Sequence, residues 1–135
     1  MAAAAGMRPV AQALQRVAQV LYGIDISYEA DVAAGVTIRH GVGLVVGNRA
    51  KICKDVVLFQ GVTIGSRLSG SKERPDGMPV IEDGVLVGAG AVVLGPVTVG
   101  AGSIIGANTV VTKDVPSGSI VTGPPPLYRT KPSPR

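Results

Sequence analysis

Residues 81–111 read IEDGVLVGAGAVVLGPVTVGAGSIIGANTVV, and a large aliphatic residue stands at every sixth position of this stretch. The series is Ile81, Val87, Val93, Val99, Ile105 and Val111. A period of six matches neither the 3.6-residue period of a helix nor the two-residue alternation of an ordinary strand. It is typical of a parallel β-helix in which each hexad forms one short side of a coil. The stretch therefore predicts a mainly β solenoid.

The same period runs through two earlier blocks. Their repeating residues are Ile26, Val32 and Ile38, and then Val46, Ile52, Leu58 and Ile64. The second position of a hexad is often Gly, and the fifth is small or β-branched. We expect one large aliphatic side chain per side to point inward and to stack on its equivalent about 4.7 Å away. The composition fits a narrow interior, because the chain has 46% hydrophobic but only 3% aromatic residues, 19 Gly and no Trp.

Three segments are predicted. Residues 1–22 form an amphipathic helix, since Val10, Leu14, Val17 and Leu21 follow a helical spacing. Residues 23–123 form the solenoid, interrupted by a loop at residues 66–79. Residues 124–135 form an extended, basic, Pro-rich tail. The helix is expected to cap the first coil or to pack against a neighbouring subunit, since a short solenoid needs its ends covered.

Charge and composition narrow the classes of function. The net charge is +4, yet the chain has no nucleic-acid motif and few aromatics to stack on bases, so an anionic small ligand is favoured over nucleic acid. The amino-terminal segment is too short and too interrupted for a membrane span and lacks the apolar core of a secretion signal. The single cysteine, Cys53, suits a reducing compartment. A cytoplasmic protein without membrane contact is expected.

Two places break the period. Between Ile38 and Val46 the step is eight residues instead of six, and this step contains His40, the chain's one histidine. Gly41 and Gly43 follow it closely and are expected to let a substrate approach the backbone. The second break is the polar loop 66–79. Functional residues often lie at breaks in a repeat, because long irregular segments in compact domains tend to be functional.

The residues at the first break predict acid–base chemistry. Asp25 lies fifteen positions before His40, a little less than one coil, so the spacing permits its carboxylate to orient the imidazole without requiring this contact. A His and Asp pair without an evident nucleophile indicates general-base activation of a substrate hydroxyl or amine. One histidine cannot supply a three-histidine zinc site, and no metal is expected.

The chain resembles the hexapeptide-repeat acyltransferases, which have a left-handed parallel β-helix, and among them the serine O-acetyltransferases. The resemblance rests on residues 39–52 (RHGVGLVVGNRAKI), residues 56–65 (VVLFQGVTIG) and residues 84–116, and covers about residues 23–129. It implies that His40 is the catalytic base and that Asp25 supports it. It also implies a homotrimer that binds acetyl-CoA in a groove between neighbouring solenoids.

The resemblance further implies residues for the acyl donor. The pantetheine arm is expected along six small residues, and basic residues are candidates for the phosphates. The small residues are Gly65, Ser66, Gly88, Ala89, Gly106 and Ala107, and the basic residues are Lys113, Arg129 and Lys131.

Two positions depart from the family pattern. Arg39 stands where an Asp precedes the catalytic His, and the loop ends Gly77-Met78-Pro79 where Arg-His-Pro is expected. Arg39, Arg74 and Met78 are therefore candidates for contact with the acceptor. That acceptor is left open between serine, another amino acid, a sugar and a specialised metabolite.

The sequence as a whole predicts an acyl-CoA-dependent O-acyltransferase, with acetyl-CoA as donor and a small hydroxyl-bearing acceptor. The alternative is a noncatalytic solenoid, either a partner protein or a former enzyme that has lost its acceptor site.

Overall fold

The computed structural model describes residues 6–67 and 77–129. In these residues one helix, α1 (Arg8–Tyr22), precedes fourteen short strands. The strands are β1 (Asp25–Ile26), β2 (Asp31–Val32), β3 (Thr37–Arg39), β4 (Val45–Val46), β5 (Lys51–Ile52), β6 (Val57–Phe59), β7 (Thr63–Gly65), β8 (Val80–Ile81), β9 (Leu86–Val87), β10 (Val92–Leu94), β11 (Thr98–Val99), β12 (Ile104–Ile105), β13 (Val110–Val111) and β14 (Ile120–Val121).

Every third strand stacks in the same parallel sheet. Sheet A has the order β1-β4-β7-β10-β13, sheet B has β2-β5-β8-β11, and sheet C has β3-β6-β9-β12-β14. Three consecutive strands make one coil, so β1 to β12 form four coils and β13 and β14 belong to a fifth. On the fifth coil an isolated bridge between Val99 and Val115 continues sheet B. The predicted mainly β solenoid with one short helix is confirmed, and its left-handed sense stays a prediction.

The core is made by the repeating residues. From the second coil onward the sixth-period residues are buried: Val46, Ile52, Leu58, Ile64, Ile81, Val87, Val93, Val99, Ile105 and Val111. The fifth-position residues are buried as well: Ala50, Val56, Val62, Val85, Ala91, Val97, Ser103, Thr109 and Val115. Each side of a coil therefore contributes two inward residues, one large and one small or β-branched, where the hexad pattern predicted one large residue.

The first coil is less covered than the others. Val32 and Ile38 occupy inward positions but are 44% and 40% exposed, because no further coil stacks beneath them. Helix α1 contacts β1, so it covers one side of this coil. Its apolar residues Val10, Leu14 and Val17 are exposed. The helix thus meets the solenoid through a more polar face than the amphipathic pattern predicted.

The carboxyl-terminal segment has no helix or strand from Thr122 to Arg129, and these residues are exposed. The rest of the predicted tail, residues 130–135, and residues 1–5 of the predicted helix segment lie outside the described residues. Helix α1 is neither long nor apolar enough to cross a membrane, and no other helix occurs in the described ranges.

Candidate active site

The eight-residue step lies at the corner where sheet C leads into sheet A, which we call the C-to-A corner. Each coil turns here through a residue with left-handed backbone: Gly23, Gly43, Gly61, Gly90 and Asn108, with φ between 55° and 76°. Backbone hydrogen bonds join these turns from coil to coil, for example from the Gly43 N–H to the Gly23 carbonyl oxygen at 2.8 Å. The two extra residues of the step are therefore added to a regular stack of turns.

His40 follows β3 directly and is exposed. Its backbone is left-handed, with φ 54°, a conformation that histidine adopts more readily than most residues. A Cβ on Gly41 would lie 2.7 Å from side-chain atoms of both Ile24 and Ile38. Packing against these two isoleucines therefore accounts for Gly41, and the left-handed turn accounts for Gly43. The imidazole is presented to solvent at a corner with a fixed backbone.

Asp25, the first residue of β1, is half-buried. The Gln15 side-chain amide donates to its Oδ1 at 2.7 Å, and the Gln19 amide donates to its Oδ2 at 3.4 Å. In the described part of the chain, its carboxylate is thus hydrogen-bonded to α1. The pairing of Asp25 with His40 stays a prediction. The sequence repeat does not point to either glutamine, although their spacing of four places them on one helix face.

Arg39 is exposed on the outer side of sheet C. It is the last residue of β3, and its Cα is the register partner of Phe59, the last residue of β6. The two side chains alternate with the inward residues Ile38 and Leu58, so both face outward. Arg39, immediately before His40, and Phe59, one coil further along, therefore share the outer face of sheet C. Phe59 is a further candidate residue, and its regular place in the repeat gives no sign of it in the sequence.

The residues predicted for the acyl donor divide between two corners. Gly88 and Ala89 lie at the C-to-A corner, and Gly106 and Ala107 lie at the same corner one coil further along, about 5 Å away. A Cβ on Gly88 would lie 2.8 Å from the Ala107 backbone nitrogen. Close approach of neighbouring coils thus explains Gly88 without a ligand.

Gly65, Ser66 and Lys113 lie at the opposite edge of sheet A, at the corner that leads into sheet B, which we call the A-to-B corner. Lys113 also lines a cavity of about 340 Å³ at the carboxyl-terminal end of the solenoid. Arg129 is exposed in the segment after β14, apart from both corners in sequence. Lys131 lies outside the described residues.

The long loop is held at both ends along the A-to-B corner. The Arg67 guanidinium lies beside Gly95 and donates a hydrogen bond to the carbonyl oxygen of Thr112, on the fifth coil. Met78 packs against the core, and its Cε occupies the space beside Gly47 on the second coil. Met78 thus serves at least partly as a packing residue. Arg74 lies outside the described residues.

Cys53 is half-buried, and burial raises the pKa of its thiol. It directly follows β5 in sheet B, and its N–H donates to the Ile81 carbonyl oxygen, so it lies on a different side of the coil from His40. Its environment is that of a structural residue.

Comparison with known proteins adds family evidence to this geometry. The family model "Bacterial transferase hexapeptide (six repeats)" matches residues 78–113. A serine acetyltransferase of Mycobacterium tuberculosis is 41% identical over 132 residues, which are 96% of this chain and 56% of that protein. Serine acetyltransferase 2 of Arabidopsis thaliana is 40% identical over 120 residues, 89% of this chain and 36% of that protein.

Solved structures agree with the sequence matches. A serine acetyltransferase of Neisseria gonorrhoeae in complex with serine superposes with a TM-score of 0.81 at 35% identity, covering 89% of this chain and 48% of that one. A serine acetyltransferase of Brucella abortus in complex with coenzyme A gives 0.82 at 38% identity, covering 89% and 47%. This chain spans about half the length of the relatives that it matches.

Proposed function

We propose that this chain, a hexapeptide-repeat protein of the serine acetyltransferase kind, is an acyltransferase that moves an acetyl group from acetyl-CoA to a hydroxyl of a small acceptor. The observation that carries the proposal is the eight-residue step at the C-to-A corner. This step contains the chain's one imidazole, which is exposed. The chain is about 40% identical in sequence to several serine acetyltransferases. A purely structural corner needs no such insertion, since the later coils turn here in six residues.

His40 acts as the general base. Its neutral ring nitrogen takes the proton of the acceptor hydroxyl while the oxygen attacks the thioester carbonyl carbon. The carbonyl oxygen gains negative charge, which backbone N–H groups stabilise. The C–S bond then breaks, the ester forms, and the proton passes from the imidazolium to the departing CoA thiolate. Asp25 orients the ring and balances its transient positive charge.

The acyl donor lies in a groove between two solenoids. The residues suggested for it lie at both edges of sheet A: Gly88, Ala89, Gly106 and Ala107 at the C-to-A corner, and Gly65, Ser66 and Lys113 at the A-to-B corner. Complex formation of the Brucella abortus relative with coenzyme A supports such a site.

The faces of the solenoid support a homotrimer. Sheet B exposes the charged residues Asp31 and Lys51, whereas sheet A exposes Val45 and Val110. Sheet C exposes Ile104 and Ile120, which are register partners. Two apolar faces and one polar face suit a closed ring in which sheet A of one copy packs near sheet C of the next and sheet B faces water. The C-to-A corner with His40 then lies at the subunit boundary.

The acceptor site differs from one built for serine. Arg39 places a cation where an acidic residue is expected, and Met78 packs against the core. A relative binds serine, but these positions favour an acceptor that carries an anionic or apolar group beside its hydroxyl. O-acylation is preferred to N-acylation.

The decisive experiment measures release of the CoA thiol from acetyl-CoA with a panel of hydroxylated amino acids, sugars and metabolites. Turnover that depends on His40 supports the enzyme. The second candidate is a noncatalytic solenoid that binds another protein, and the altered acceptor residues favour it. Absence of turnover with every acceptor, together with tight binding of another protein, supports this candidate instead.

A further inference from the structure

We infer that Gln15 and Gln19 are positioning residues for Asp25, so that α1 is part of the active site. This inference rests on the proposed function, because it assigns a task to the carboxylate that supports His40. The sequence repeat gives no sign of it, since α1 lies outside the solenoid.

The geometry engages both carboxylate oxygens separately. Gln15 Nε2 donates to Oδ1 at 2.7 Å, and Gln19 Nε2 donates to Oδ2 at 3.4 Å. All three side chains are half-buried. An ionised carboxylate accepts about four hydrogen bonds, so two amide donors still leave lone pairs for an imidazole N–H. Two donors on different oxygens also fix the rotation of the carboxylate, which a single donor would not.

Gln15 is itself fixed at both ends of its amide. While Nε2 donates to Asp25, Oε1 accepts a hydrogen bond from the Tyr28 N–H at 3.3 Å. The donor is therefore tied to the backbone of the first coil and not only to the helix. A hydrogen bond to a charged group is stronger than a neutral one, and its geometry is correspondingly better defined.

Hydrogen bonds account for much of how α1 is held against the first coil. The helix has no buried residue, and its apolar side chains Val10, Leu14 and Val17 are exposed. Its described side-chain hydrogen bonds to the first coil are those of Gln15 and Gln19 and the Gln12 bond to the Tyr28 hydroxyl at 3.4 Å. Asp25 thus lies at the centre of the polar contact that joins helix and solenoid.

The test compares three glutamines of one helix. Gln15→Ala and Gln15→Glu remove the donor to Asp25. The glutamate keeps the side-chain length and an acceptor for the Tyr28 N–H, but it replaces the donor to Asp25 with a second carboxylate that repels it. Gln19→Ala removes the second donor. Gln12→Ala is the matched control, because it deletes a contact between the same helix and the same coil away from Asp25. Circular dichroism verifies that each variant is folded.

Kinetics and one NMR measurement distinguish a positioning role of Gln15 and Gln19 from a purely structural role. We expect Gln15→Ala and Gln15→Glu to lower kcat about tenfold or more, since small misplacements of catalytic groups are costly, and to leave the KM for acetyl-CoA unchanged. In the same two variants the acid limb of the pH profile of kcat/KM should also move. Gln12→Ala should have the same kcat, KM and pH profile as the parent protein. Because His40 is the chain's one imidazole, its ring ¹⁵N resonances at fixed pH report on Asp25 without any acceptor.

The outcomes distinguish this inference from the proposed function. If Asp25→Asn slows turnover and shifts the ring resonances while the Gln15 and Gln19 variants behave like Gln12→Ala, the positioning role is overturned and the proposed function stands. If Asp25→Asn changes neither, both the dyad and the positioning role fall. A shared response of Asp25→Asn and the Gln15 variants, absent from Gln12→Ala, supports the inference.

Discussion

The terminal methyl of Met78 lies where a side chain of Gly47 would be: a Cβ built on Gly47 comes within 2.7 Å of Met78 Cε. This contact joins the end of the long loop to the A-to-B corner of the second coil. The Arg67 contact with Thr112 joins the start of the same loop to the fifth coil. The two described ends of the loop are thereby anchored along one edge of the solenoid, next to Gly65 and Ser66.

Gly47→Ala and Gly88→Ala should differ in their effect on stability. At Gly47 the obstacle is the flexible end of Met78, which can move aside. At Gly88 the obstacles are the Ala107 nitrogen and the Ile105 oxygen at 2.8 and 2.9 Å, both backbone atoms of the next coil. We expect Gly88→Ala to lower the free energy of unfolding by about 1–3 kcal/mol, as overpacking does, and Gly47→Ala by less. Urea denaturation measures both, and equal losses would contradict the distinction.

His40→Ala should lower acyl transfer about 10² to 10⁴-fold, the usual contribution of a general base. The fold of each chain should not change, because the side chain is exposed and holds no part of the core. We expect CoA binding and the oligomeric state to persist as well. Steady-state kinetics, calorimetric titration with CoA and light scattering measure acyl transfer, CoA binding and the oligomeric state. A fully active variant would remove the base assignment.

Free L-serine should be acetylated slowly. A site for an amino acid needs partners for both its carboxylate and its ammonium, and each lost buried polar contact typically costs about 1–3 kcal/mol. Arg39 supplies a cation only, and Met78 packs against the core. Comparison of kcat/KM for serine with that for anionic and apolar hydroxyl compounds tests this. A value for serine of about 10⁴ M⁻¹s⁻¹ or more, within the ordinary enzyme range, would restore serine as the acceptor.

The chain should have a mass near three subunits in solution, and Ile104→Asp should lower it. Ile104 is exposed on sheet C, between its register partners Leu86 and Ile120. A charge there opposes burial in an interface without entering the core. Lys51→Asp, on the polar sheet B, is the control and should leave the mass unchanged. A parent protein that is monomeric by light scattering is the result that excludes the shared groove.

The thiol of Cys53 should react slowly near neutral pH. Burial raises its pKa because it disfavours the thiolate, and only the thiolate is an efficient nucleophile. Alkylation by iodoacetamide at pH 8 should therefore be at least about threefold slower in the folded protein than in urea. The folded rate should continue to rise at higher pH than that of an ordinary cysteine. Equal rates in both states would show a fully accessible, unperturbed thiol.

Much of the fold follows from the hexads alone. Ile81, Val87 and Val93 recur at one fixed position of the repeat, and all three are fully buried. The break at His40 was also visible, because a step of eight interrupts an otherwise uniform series. Val32 and Ile38 fit the same pattern but are exposed, since burial needs a neighbouring coil on both sides and the first coil has one on one side only.

The candidate site was less predictable than the fold. Asp25 was selected by its spacing from His40, yet its described hydrogen bonds go to Gln15 and Gln19. Met78 was selected as an acceptor contact, yet it fills the space over Gly47. In each case the contact joins the solenoid to a segment outside the repeat. The period of the repeat does not predict which side chains of such a segment contact the coils.

The sequence by itself determined the solenoid, its coil length and the position of its break. The reason is local, because every side of a coil buries an aliphatic residue between two turns and therefore needs the same short residue pattern. Only the tertiary structure decided which predicted residues share a corner, which face of α1 meets the first coil and how the loop is anchored. Those arrangements depend on side chains far apart in sequence, such as Arg67 and Thr112, whose proximity is set by the stacking of coils and not by any local preference.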